Sequence, residues 1–265
     1  MGYEDLVAGR VQAAVRRVPE QSPPEVAVYR GWMLKPSDYA AMYDALPARG
    51  VLLVNSPEEY RHCHYLPESY SVIEGVTAAT AWMPLSGGEA LDFEAVMALL
   101  RELGGGPVVL KDYVKPQKHY WEEACYIPDA ADRAGVERVV RRFLELQGED
   151  LAGGLVFREF VPLAAVSRHP QSAMPLSEEY RVFFLDGNPI YTVPYWEYGD
   201  YPAVGPPVHD FLGVAGQVRS RFFTMDLARR AGGTWMVIEL GDAQVAGLPE
   251  RGYALELYKA LASHL

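Results

Sequence analysis

The spacing of apolar residues changes along the chain. Residues 1–18, "MGYEDLVAGRVQAAVRRV", read as an amphipathic surface helix, ended by the Pro-rich "PEQSPPE". "EVAVYRGWM" predicts a short strand, and "KPSDYAAMYDALPARG" a helix stopped by Pro47 and Gly50. "VLLVN" is a continuous apolar run, the pattern of a buried parallel strand. Ser56 then offers an N-cap, and Pro57 the first position of another helix. "ALDFEAVMALLREL" has helical spacing and is closed by Gly104, Gly105 and Gly106. Beyond it the texture turns strand-like: "PVVLKDYV", "GLVFREFVPL", "EYRVFFLDGNPIYTVPYW", "RFFTMDLA" and "TWMVIELGD", with a helix over "AADRAGVERVVRRFLELQ". Asp186-Gly187 between two apolar runs is a hairpin signal that brings Arg181 near Thr192. "YGDYPAVGPPVHD" reads as an irregular surface loop. The order predicts a small α/β domain within residues 1–100, including the N-terminal helix. An α+β domain with a largely antiparallel sheet follows over residues 101–265.

Composition narrows this picture. The 265 residues are 49% hydrophobic and 22% charged, as in a globular protein with a sizeable core. The net charge of −11 argues against nucleic-acid binding by bulk electrostatics. Two isolated cysteines, Cys63 and Cys125, make no disulfide framework, so a reducing cytoplasm is expected. No apolar run reaches the roughly 18 residues of a membrane span, and residues 1–18 have no signal-peptide core.

Several charged residues interrupt the apolar strands. If Gly232-Gly233 is a two-residue turn, Asp226 lies directly opposite Glu239. Like charges so placed destabilise a sheet unless a pKa rises or a cation binds. Asp242 and Gln244 follow nearby, and an all-oxygen donor set favours Mg2+ over zinc. The alternative is that the register differs and both acids are solvated. Lys111 ends one strand, Glu159 lies in another, and Arg181 in a third. Such residues are aimed at anions or sit in structural ion pairs. "KDYVKPQKHYW" adds Lys115, Lys118 and His119 in one loop. His62, Cys63 and His64 are crowded, but no second ligand cluster matches them, so they read as structural, as do His119 and Cys125. The chain has no Walker A, G-x-G-x-x-G or H-R-D motif.

The order Lys111, Glu159, Arg181, Asp226, Glu239 resembles the ATP-grasp superfamily over residues 100–265. "VNSPEEYRHCHYLPESY", "VVLKDYVKPQKHYWEEACYIPDA" and "VIELGDAQVAGLPE" resemble a bacterial and phage clade of it that is predicted to make peptide-like bonds. The resemblance implies an ATP-grasp fold of two α+β subdomains with antiparallel sheets, preceded by a small α/β pre-ATP-grasp domain. It implies ATP and Mg2+. Lys111, Lys115, Glu159, Phe160, Val161 and Arg181 would bind nucleotide, and Lys111, Lys118 and Arg181 would act in catalysis. Asp226, Glu239 and Asp242 would hold metal, and Arg30, Lys35 and His64 would face the substrate. The chain departs from the pattern at Gly241, where an Asn is usual, leaving Asp242 or Gln244 as substitutes. It departs again in a lid that is Lys-rich rather than Gly- and Ser-rich.

The expected activity is ATP- and Mg-dependent ligation of a carboxylate to an amine through an acyl phosphate. One alternative is a nucleic-acid (RNA) end-joining ligase on the same fold, with Lys115, Lys118, Arg30, Tyr113, Tyr120 and Trp121 as a local strand-binding patch. Another is a non-catalytic nucleotide-binding protein. A homodimer is common on general grounds, but nothing in the sequence specifies one.

Overall fold

A computed structural model describes residues 1–85, 91–168, 175–249 and 252–264. The chain forms two compact units that interleave in sequence. The first gathers residues 1–64, 179–227 and 239–265; the second gathers residues 65–178 and 228–238. One hairpin accounts for part of this, because its open end belongs to the first unit and its tip to the second.

In the first unit, residues 3–18 make two short helices rather than one, α1 (Tyr3–Val7) and α2 (Val11–Val15). The break falls at Gly9, whose φ of 73° leaves the helical region, and Arg10 bonds back to Asp5 at 2.8 Å. β1 (Glu25–Ala27) pairs with β2 (Val51–Leu53) in parallel, as the apolar run predicted. The run is not wholly buried, however: Val51 and Val54 point inward while Leu52 is 43% exposed. Between them α3 (Pro36–Ala45) runs into a single 3-10 turn that ends at Gly50. α4 (Pro57–His64) opens with a reciprocal cap. Ser56 N–H donates to the Glu59 carboxylate at 2.6 Å, and Glu59 N–H donates to Ser56 Oγ at 3.2 Å. Tyr39 and Tyr60, both fully buried, stack at 4.0 Å in the core beneath.

The second unit contains α5 (Leu66–Ile73), β3 (Thr80–Pro84), α6 (Phe93–Glu102), β4 (Val108–Asp112), β5 (Tyr126–Ile127), α7 (Arg133–Gln147) and β6 (Gly154–Glu159). Its sheet has the order β3-β6-β4-β5, antiparallel throughout. Asp92 and Asp132 cap α6 and α7, each accepting from a backbone N–H two residues on. The helices bury Val96, Leu100, Val136, Val140 and Phe143 in one core with Leu110, Leu155 and Phe157 of the sheet. At about 1.5–3 kcal/mol per buried side chain, this core dominates the unit's stability. β7 (Ala165–Arg168) and β8 (Pro175–Ser177) form a separate antiparallel ribbon.

A second four-stranded sheet has the order β10-β9-β11-β12, with β9 (Glu179–Leu185), β10 (Asn188–Pro194), β11 (Phe222–Arg229) and β12 (Trp235–Asp242). The short α8 (Leu212–Ala215) precedes β11. α9 (Gly252–Ala262) packs Leu257 and Leu261 against Phe183, Val193 and Phe222. Asp186 and Gly187 make the predicted two-residue turn, with φ of 49° and 78°. A bulge between Pro189 and Tyr191 then shifts the register by one residue, so Arg181 faces Val193 instead of Thr192.

The β11–β12 turn also differs from the two-residue expectation. Arg230 N–H donates to Thr234 O and Gly233 N–H to Arg230 O, so Ala231, Gly232 and Gly233 form a three-residue turn with Gly233 at φ 92°. At the open end, Ala243 N–H donates to Phe222 O. The two ends are thus out of step by one residue. No described helix is long and apolar enough to cross a membrane.

Candidate active site

Arg181 and Asp226 lie on the adjacent central strands β9 and β11. Arg181 Nε donates to one Asp226 oxygen at 2.8 Å and Nη2 to the other at 2.7 Å. Nη1 donates to Gly247 O at 3.0 Å, so the guanidinium is fixed in plane. Its Cζ lies 4.8 Å from the centre of the Tyr195 ring. The Asp226 side chain is only 2% exposed and that of Arg181 14%. Burial disfavours the arginine's charge, but Asp226 outweighs it, with smaller contributions from Tyr195 and Glu239, and the pKa lies above the ordinary value. This answers the puzzle of two facing acids. The cation that relieves Asp226 is a side chain from the next strand. Glu239, half-buried on β12, adds its field to the same arginine. Arg181, Asp226 and Glu239 are therefore brought together.

Asp242 is not brought to this group. It is 1% exposed and accepts from Asn55 Nδ2 at 2.6 Å and from Gln244 N–H at 2.9 Å. Among the described residues no three His, Cys, Asp or Glu side chains are arranged to hold a metal ion, so the set Asp226, Glu239 and Asp242 does not form one. Burial raises the Asp242 pKa to about 7, against the lowering pull of the Asn55 and Gln244 hydrogen bonds. Asn55 also pairs with the Phe222 backbone, donating to its O at 2.7 Å and accepting from its N–H at 2.9 Å. Gln244 accepts from Tyr29 N–H and donates to Tyr39 Oη. Asp242 and Gln244 are thus enclosed by neutral partners. Gly241, where the family resemblance expects Asn, has no room for a side chain: an added Cβ would lie 2.8 Å from the buried Thr224 Oγ1.

The three residues expected to face substrate all lie in the first unit. Arg30 donates to the carbonyls of Ala243, Gln244 and Ala246 at 2.7–3.1 Å, so its guanidinium ties down the loop after β12. Lys35 is exposed at the start of α3. His64 stacks on Tyr60 at 4.9 Å.

The nucleotide-binding candidates from residue 111 to residue 161 belong to the second unit. Lys111 is 4% exposed and faces Val156, while Glu159 is exposed and faces Val108, at opposite ends of the β4–β6 ladder. Phe160 and Val161 follow β6, half-buried, and Phe160 N–H donates to Pro107 O. The Phe160 ring meets Tyr126 edge-on at 5.0 Å, and Tyr126 stacks with Trp121 at 5.7 Å. Lys115 and Lys118 are exposed on the expected lid. That loop is anchored by a residue the sequence reading passed over. Asp112, fully buried, accepts the N–H groups of Val114 and Lys115 at 2.7 Å each and the Gln147 side chain at 2.5 Å. Burial raises its pKa, and those backbone hydrogen bonds and Lys111 pull the other way. Arg158 was also missed. It is buried and holds β12 by donating to Ile238 O at 2.6 Å and to Thr77 Oγ1, which in turn donates to Val237 O. The only sequence signal for either was a charge inside an apolar strand.

Residues 102–265, more than half of the chain, match the ATP-grasp domain, R-2-K clade family 3. The chain belongs to this ATP-grasp family. No curated protein sequence matches it. Among solved structures, the RimK domain protein ATP-grasp from Sphaerobacter thermophilus DSM 20745 is 14% identical with a TM-score of 0.58, the alignment covering 98% of this chain and 92% of that one. D-cycloserine synthetase DcsG is 16% identical with a TM-score of 0.57, covering 93% and 86%. The ATP-grasp ligase PsnB, complexed with precursor peptide PsnA2 and AMPPNP, is 18% identical with a TM-score of 0.49. The alignment covers 86% of this ATP-grasp protein but only 66% of PsnB, so the chain spans about two thirds of that relative. The α+β architecture with antiparallel sheets is the ATP-grasp fold, as the sequence resemblance implied.

Proposed function

We propose that this ATP-grasp protein is a ligase that uses ATP to activate a carboxylate and joins it to an amine. The observation that carries the reading is the buried Arg181, fixed by Asp226 and close to Glu239 on neighbouring strands. A cation held rigid before substrate arrives suits a step in which negative charge is transferred. A substrate carboxylate oxygen attacks the γ-phosphorus of ATP, the bond from that phosphorus to the bridging oxygen breaks, and ADP leaves. The amine nitrogen then attacks the acyl carbon, the carbon–oxygen bond breaks, phosphate departs and the nitrogen loses a proton.

In this reading Arg181 stabilises the transferred phosphoryl group. Lys111, with Lys115 and Lys118 from the adjoining loop, contacts phosphates, and Glu159, Phe160 and Val161 line the adenine side. Mg2+ would be held by one or two carboxylates plus phosphate oxygens; Glu239 would supply a carboxylate, whereas both Asp226 oxygens are taken by Arg181. When bound, the ion neutralises phosphate charge and polarises the γ-phosphoryl group. Asp242 has no part in this, because its oxygens are engaged by Asn55 and Gln244. The end-joining alternative is disfavoured by charge, since the exposed Lys115 and Lys118 share their segment with exposed Glu122 and Glu123 in a chain of net charge −11.

The test is thermal unfolding with and without Mg-ATP, for the wild type and Glu239→Gln. ATP at about 100 times its dissociation constant adds roughly 2.7 kcal/mol. A Mg2+-dependent rise in the wild type that shrinks in Glu239→Gln is expected, with ADP and phosphate released once acid and amine are supplied. Full turnover by Glu239→Gln with normal Mg2+ dependence would sink the assignment.

A further inference from the structure

Beside the end of β10 lies a cavity of about 370 Å3, lined by Pro194, Trp196, Glu197, Asp200, Tyr201 and Tyr253 among others. Its chemistry is consistent. Three of these residues are aromatic and two are acids, and among the described residues no lysine, arginine or histidine lines it. Contacts within the first unit hold the rings in place. Tyr201 Oη accepts the Trp196 backbone N–H at 3.1 Å, and the Tyr201 ring meets Tyr180 of β9 edge-on at 5.0 Å. Tyr253 projects from α9, which packs on the sheet core. Trp196 meets Tyr195 edge-on at 4.9 Å, and Tyr195 is the ring beneath Arg181. Two touching rings thus connect the cavity to the Arg181, Asp226 and Glu239 group.

Aromatic faces and carboxylates share one preference. Both attract an organic cation, and the carboxylates repel an anion. A neutral chain of the same size gains only apolar burial. Glu197 and Asp200 are both exposed, so the fold does not bury their charge. We propose that this cavity binds a primary ammonium group on a short organic chain, namely the amine that the reaction joins. The identification as acceptor site rests on the ligase reading above, whereas cation binding by the cavity does not.

The test titrates 15N-labelled protein with n-butylammonium chloride and, separately, with its neutral counterpart n-butanol, at constant ionic strength. The Trp196 indole signal is assigned with Trp196→Phe. A saturable shift of that signal by the ammonium is expected, with n-butanol at least about tenfold weaker, a difference of about 1.4 kcal/mol. Glu197→Gln/Asp200→Asn should weaken ammonium binding by about tenfold or more while keeping the wild-type Mg-ATP thermal shift. No saturation by about 100 mM, an equal response to n-butanol, or an unaltered affinity in the double variant overturns the proposal. The n-butanol comparison uses wild-type protein and so does not depend on the variant folding. A Mg-ATP shift without ammonium binding overturns the cavity alone. Ammonium binding without a Mg-ATP shift sinks the ligase reading and leaves the cation site standing.

Discussion

Asp226 and Asp242 lie on neighbouring strands of one sheet, each only 1% exposed, and the fold treats them in opposite ways. Asp226 receives a cation, with both oxygens bonded by Arg181. Asp242 receives only neutral donors from Asn55 and Gln244. The first forms a buried bidentate ion pair that fixes the arginine's guanidinium in place. The second is driven toward its protonated form by burial and becomes part of the scaffold. Residue type and burial alone do not distinguish a working carboxylate from a structural one. The identity of the partner does.

The strongest way to break the contrast is to remove the cation. Arg181→Met leaves Asp226 buried without compensation and should destabilise the protein by about 3–5 kcal/mol in urea unfolding. Arg181→Met/Asp226→Leu should recover most of that loss, because a buried ion pair replaced as a whole costs far less than one that is split. An equal loss in both variants would mean that the packing of Arg181 matters more than its charge.

The next effect concerns pH. In the folded protein Asp242 keeps its proton up to about pH 7, whereas an unfolded carboxyl loses it near pH 4. The folded state therefore binds more protons across this window. Stability from this group falls as pH rises from about 4 to about 7 and is flat above that, an effect on the order of a few kcal/mol. Asp242→Asn should flatten this part of the profile. An unchanged slope would place the pH dependence on other groups. The smallest effect belongs to Arg221, whose pair with Asp186 is about half exposed on both sides. Arg221→Ala should cost no more than about 1 kcal/mol and lose its effect in high salt.

Much of the fold was legible in the sequence because its signals are local. Ser56 and Glu59 close a cap across three residues, and Asp186-Gly187 adopts the turn its left-handed preference allows. The amphipathic stripes of α6 and α7 bury the side their spacing announces. The misreadings came from single-residue irregularities. Gly9 breaks the first helix, the Pro189–Tyr191 bulge shifts one hairpin, and a three-residue turn replaces the expected Gly-Gly turn in another. In each case one residue changes conformation, and no period-based pattern responds to so small a change.

Within the candidate site, the charged residues could be picked out as anomalies in apolar strands, but not who would meet whom. Arg30 was named as a residue facing substrate, and its guanidinium holds the carbonyls of Ala243, Gln244 and Ala246. Asn55 attracted no notice, yet it joins partners 167 and 187 residues away.

The sequence by itself determined most of the strands and caps, the Asp186-Gly187 turn, the family, and the acids and bases that had to be explained. Those properties follow from backbone preferences and side-chain periodicity acting over a few residues. Only the tertiary structure decided which charge neutralises which. Arg181 finds Asp226 across 45 residues of chain, and Asp242 finds Asn55 across 187. In a low-dielectric interior that choice of partner sets whether a carboxylate is ionised, and through it what the site can do.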